Sequence, residues 1–241
     1  MKDHLLDLVS HTFDLGCIDL VKIVGDTEKT TVCGMSAATT VVLLGEFHAP
    51  VADFVGTFGM PNLGKLKVIL NLDEYKENSK LSITRNSDGA PNGIDFVNNN
   101  GDFRNNYRFM AANIVETVLE TPEFVGAKWN IEFAPTVASI MRLKMQAQAN
   151  AEETLFQAKT EDGHLKFFFG DHSTHAGNFI FQSDANGTLT RTWSWPISEL
   201  QRILSLSGDK VFRISNDSGA IMISVDSGMA KYDYILPAQQ K

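Results

Sequence analysis

The chain has 241 residues, 43% of them hydrophobic and 21% charged, with a mean hydropathy of −0.10, which describes an ordinary globular protein and excludes collagen-like and disordered classes. That length suits one large domain or two of about 120 residues. A formal charge of −8 excludes a protein that coats nucleic acid with its whole surface, but permits one that touches DNA with a single face.

The first predicted helix covers 2–14, with Leu5, Leu8, Val9 and Phe13 along one side. Asp3, Asp7 and Asp14 interrupt the apolar stretch that a secretion signal needs. Apolar runs such as 41–44 are far short of the roughly 20 residues that cross a bilayer, so no membrane partner is expected. Cys17 and Cys33 are too few for a disulfide framework and lack CxxC spacing; free thiols in the cytoplasm are the expectation, the host's cytoplasm if the chain is viral.

Beyond the first helix, β-branched and aromatic residues alternate with polar ones. Turn pairs such as Asp88-Gly89, Asn92-Gly93, Asn100-Gly101, Asp162-Gly163 and Asn186-Gly187 break the pattern at short intervals, which predicts antiparallel hairpins. Three more segments carry helical spacing: 62–72, 135–148 and 197–206, each opening near a proline. Between them, AANIVETVLETPEFVGA (111–127) fits neither rhythm and reads as a connector.

The helices repeat. Leu63, Leu66, Ile69 and Leu70 match Ile197, Leu200, Ile203 and Leu204, every pair 134 residues apart. Leu5, Leu8, Val9 and Phe13 match Val137, Ile140, Met141 and Met145 at 132. Behind the second helix of each pair, NSDGA (86–90) echoes NDSGA (216–220). A tandem duplication is therefore predicted, with one domain at 1–112, a connector at 113–127 and a second domain at 128–241.

The order helix-then-hairpins in ISELQRILSLSGDKVFRISNDSGAIMISV, the closing AKYDYILPA (230–238) and the entry KWNIEFAPTVASIMRLK resemble the sliding clamps of DNA polymerases. The likeness is to the two-domain type of tailed phages and, more remotely, to proliferating cell nuclear antigen. It implies an α+β DNA-clamp fold of two duplicated domains, each with two helices on antiparallel sheets. It further implies a homotrimer closing into a ring around double-stranded DNA, a DNA polymerase and a clamp loader as partners, and a non-enzymatic role with no cofactor and no metal.

In that family the helices line the hole. The resemblance then makes Lys65, Lys67 and Asn71 of the second helix, Arg142 and Gln146 of the third and Arg202 of the fourth the DNA-facing residues, with Lys144 among apolar positions. Segments 61–72 and 135–148 carry Lys and Arg but no Asp or Glu, as phosphate contacts require. The first helix departs from this, because Asp3, Asp7 and Asp14 lie on its polar side. The resemblance also places subunit contacts on two edge strands, 107–110 and 178–182, carrying Tyr107, Phe109, Phe179 and Phe181. A partner-peptide pocket is expected at His48, Phe124, Val125, Leu236 and Pro237.

Two rivals are weighed against this reading. GDHSTHAG (170–177) brings Asp171, His172 and His175 together in sequence, but a polar loop between two Phe-rich runs explains it without a metal, and no hydrolase or phosphate-loop motif accompanies it. The other rival is a phage structural or assembly protein built from duplicated β units.

Overall fold

The computed structural model describes residues 1–119, 126–171 and 175–239. The chain divides into two compact units, Met1–Glu123 with Asp226–Tyr232, and Phe124–Val225 with Asp233–Lys241.

In the first unit α1 (Lys2–Ser10) leads into β1 (Leu20–Gly25), β2 (Thr30–Met35), β3 (Val42–Phe47) and β4 (Gly56–Pro61), then α2 (Leu63–Leu70). A meander of β5 (Lys80–Arg85), β6 (Pro91–Val97) and β7 (Arg104–Arg108) follows, then the short β8 (Met110–Ala111) and α3 (Ala112–Val118). The strand order is β8-β4-β1-β2-β3 in one sheet and β5-β6-β7 in the other, with every pairing antiparallel.

The second unit repeats the plan. After β9 (Ile131–Phe133) come α4 (Val137–Ala149), β10 (Leu155–Glu161), β11 (His164–Gly170), β12 (Ala176–Gln182), β13 (Ser194–Pro196) and α5 (Ile197–Leu204). The meander is β14 (Asp209–Ser215), β15 (Ala220–Asp226) and β16 (Ala230–Pro237). Its first sheet runs β13-β10-β11-β12, the same order as β4-β1-β2-β3, and β14-β15-β16 matches β5-β6-β7.

Alternation sets these strands. Val21 and Ile23 of β1, Phe156 and Ala158 of β10, and Leu165, Phe167 and Phe169 of β11 all point inward and are buried. Within each unit the two main helices pack together, α1 with α2 and α4 with α5.

The second and last helices bury the stripe expected of them: Leu63, Leu66, Ile69 and Leu70, and Ile197, Leu200, Ile203 and Leu204. In the other pair α1 buries Leu5, Leu8 and Val9 as expected, but α4 does not follow the predicted register. Helix α1 stops at Ser10, where the Ser10 and Thr12 hydroxyls bond the carbonyls of Asp7 and Leu8 and compete with the helical ladder. The chain then makes a short 3-10 turn, Phe13–Leu15. In α4, Thr136 caps the Ser139 amide at 3.0 Å, and Leu143 is the one fully buried helical side chain.

Val137, Met141 and Met145 are 79%, 47% and 62% exposed, so of the stripe expected to face the sheet only Ile140 is half-buried and the rest faces outward. The helices correspond at an offset of 135: Leu5 with half-buried Ile140, Leu8 with buried Leu143, Thr12 with half-buried Ala147, and Leu15 with buried Asn150. Small Ala147 and polar Asn150 stand where Thr12 and Leu15 stand in the first unit, which is why apolarity alone gave the wrong register.

Candidate nucleic-acid and subunit surfaces

Lys65 and Asn71 stand exposed on α2. Lys67 is already engaged, its Nζ 2.6 Å from Asp14 Oδ1 and 5.9 Å from the centroid of Phe13. The acidic side of α1 is thereby rearranged. Asp14 is neutralised by Lys67, and Asp7 turns inward, its Oδ2 accepting from Tyr232 Oη at 2.8 Å and Ser227 Oγ at 3.0 Å. Asp3, the third of them, is exposed. A groove of about 460 Å³ between α1 and α2 is lined by apolar Leu6, Val9 and Met229 as well as by Asp3, Asp14 and Lys67, among others.

The equivalent groove between α4 and α5, about 400 Å³, is lined by Lys144, Gln148, Glu153, Ser198 and Gln201 among others. Lys144 and Gln148 therefore occupy the outward face of α4, together with Met141 and Met145. Arg202 and Ser205 are exposed on α5. Arg142 and Gln146, expected on the DNA side, turn toward β12 instead. The Arg142 guanidinium lies 5.6 Å from the Phe179 ring centroid, and Gln146 Nε2 donates to Asn178 O at 3.2 Å. The shift of register explains the difference. Lys144, which its apolar neighbours suggested for the buried side, is exposed.

Strands β7 and β12 end their sheets, as edge strands do. Their aromatic side chains are not what the edges display. Tyr107, Phe179 and Phe181 are 2%, 5% and 1% exposed, and Phe109 is half-buried, stacked on Phe58 at 4.3 Å. Tyr107 Oη donates to Pro61 O, and burial pushes the phenol's pKa upward. Backbone groups and polar side chains make up the edges. In the first unit, by contrast, the edge of β3 is covered by the start of β16: His48 N donates to Met229 O at 2.9 Å, and a Cβ on Gly45 would lie 3.0 Å from the Tyr232 ring.

The residues expected to form a peptide pocket divide between the units. His48 belongs to the first, with Nε2 2.9 Å from Asp226 Oδ1; this bond and the Gly228 amide hold the Asp226 carboxyl below its usual pKa. Leu236 and Pro237 belong to the second, Leu236 wholly buried and Pro237 half-buried. Phe124 and Val125 lie outside the described residues, as does His172 of the GDHSTHAG stretch. Among the described residues no three His, Cys, Asp or Glu side chains converge.

The whole chain is similar in structure to proliferating cell nuclear antigen. PCNA from Thermococcus kodakaraensis gives a TM-score of 0.67 over 99% of this chain and 97% of its own, at 11% identity. A. fulgidus PCNA with the C-terminal region of FEN-1 bound gives 0.71 over 100% and 97%, at 8% identity. No family model matches the chain, and no curated protein matches it in sequence. At these identities the likeness establishes the fold, which is a PCNA-like clamp fold.

Proposed function

We propose that the chain is a sliding clamp of the tailed-phage type, a processivity factor that encircles duplex DNA and tethers a replicative DNA polymerase. Three copies close into a ring, a clamp loader places it on DNA, and the helices face the duplex without reading its sequence. The observation that carries this reading is the duplicated strand order, in which β3 is covered at its edge while the matching β12 is open. Strand β7 matches β16, whose start covers β3, so β7 of one copy is the natural cover for β12 of the next.

The DNA-facing set becomes Lys65, Lys67, Asn71, Lys144, Gln148 and Arg202, positions that place weak phosphate contacts on a lining with little charge. Short partner segments would dock near His48, Phe124, Val125, Leu236 and Pro237, with wholly buried Leu236 as floor rather than contact. The FEN-1 segment held by A. fulgidus PCNA supports peptide capture by a fold of this kind.

Light scattering should give about three times the 26.6 kDa subunit mass, and the protein should lengthen the products of its polymerase on primed circular DNA. A monomer that leaves product length unchanged overturns the reading.

A further inference from the structure

We propose that Arg142 of one copy meets a carboxylate pair, Glu74 and Asp102, beside the β7 edge of the next, so that a charged clasp fixes the register of the subunit joint. This rests on the ring reading above.

The first unit supplies the template. Where the start of β16 covers β3, α1 fastens the covering strand from above: Asp7 accepts from Ser227 and Tyr232, and the His11 ring stacks on Tyr232 at 4.7 Å and 4°. The burial offset of 135 puts Arg142 at the place of Asp7 and Gln146 at the place of His11. Both already lean on β12, the strand that matches β3.

The covering hairpin can be matched too. Ser227 N bonds Ala230 O at 3.0 Å to close the β15–β16 turn, and Asn98 N bonds Phe103 O at 3.1 Å to close the β6–β7 turn. Asn98 therefore stands where Ser227 stands, Phe103 where Ala230 stands, and Asn105, two residues on, where Tyr232 stands.

An Asp at the α1 position meets two hydroxyl donors. An Arg at the α4 position calls for acceptors, and Asn98 is surrounded by them. Its Nδ2 donates to both Glu74 Oε2 at 2.9 Å and Asp102 Oδ1 at 2.8 Å, so one neutral amide holds two carboxylates together. Among the described residues no Lys or Arg pairs with either carboxylate. Two like charges held this close repel, and a planar guanidinium presents the fork of donors that relieves them. Phe103 is 40% exposed where its counterpart Ala230 is fully buried, an apolar surface that the joint would cover.

The test is subunit assembly followed by sedimentation across a dilution series, in low and high salt. Arg142→Glu should move the concentration of half-assembly upward at least tenfold, with an unchanged melting temperature. Adding Glu74→Arg and Asp102→Arg to the same chain should restore most of the loss, which general misfolding would not allow. Assembly of Arg142→Glu at the wild-type concentration overturns the clasp and leaves the ring reading intact. So does a triple variant that assembles no better than Arg142→Glu. A wild-type chain that stays monomeric throughout overturns both.

Discussion

Asp7 shows how a single carboxylate is made structural in a fold whose helices are expected to be basic. Burial raises the pKa of its carboxyl, but donors from His11, Tyr232 and Ser227 outweigh that and hold it below the ordinary value of 3.8. A carboxyl depressed in the native state stabilises it fully above the unfolded value, and that contribution disappears as pH falls through the native pKa. Asp7→Ala strands the Tyr232 hydroxyl, and leaving such a buried donor unsatisfied costs about 1–3 kcal/mol. Urea unfolding should show this gap between variant and wild type at pH 7, and the gap should narrow steadily below pH 3.8. A gap that is the same at pH 7 and in strong acid would show that the carboxylate's charge is not what holds Ser227 and Tyr232.

At the scale of elements, the register of α4 decides which residues are available for function. Leu143 is its buried anchor, so Leu143→Ala should cost about 2–5 kcal/mol. Met145→Ser, on the exposed side, should stay within about 0.5 kcal/mol. Equal losses in chemical denaturation would restore the register that apolarity suggests. Helices α2 and α5 were legible in the sequence because four large aliphatic residues in each fill the buried stripe and nothing competes. Helix α4 was not, because half-buried Ala147 and buried Asn150 take the inward places while Met141 and Met145, which read as core, lie outside. The same register turns Arg142 and Gln146 toward β12. Antiparallel hairpins and the duplication could be read from turn pairs and spacing. The Lys67–Asp14 pair joins positions 53 residues apart, and no local pattern announces it. Nor could sequence show that the edge aromatics Phe179 and Phe181 point inward, since a strand's alternation fixes two faces without naming the inner one.

For the proposed ring the charge of the helix faces bears on how DNA would be retained. The α1–α2 groove holds Asp3, Asp7 and Asp14 against Lys67, and the α4–α5 groove sets Lys144 against Glu153. As the lining of the proposed ring, these faces would grip phosphates weakly. A protein that holds DNA through 6–10 phosphate contacts loses about 10³–10⁵ in affinity between 50 and 200 mM salt, because released counterions drive the binding. A closed ring is linked to its DNA and owes retention to the strength of its own joints. Once assembled on a nicked circular duplex, the protein should therefore stay through a wash at about 200 mM salt, where a phosphate grip would already have failed. Cutting the circle once with a restriction enzyme should then release it by sliding off the ends, and blocking both ends with a bulky bound protein should prevent that release. Elution from the intact circle by salt, with no effect of cutting, would assign retention to surface contacts instead of linkage.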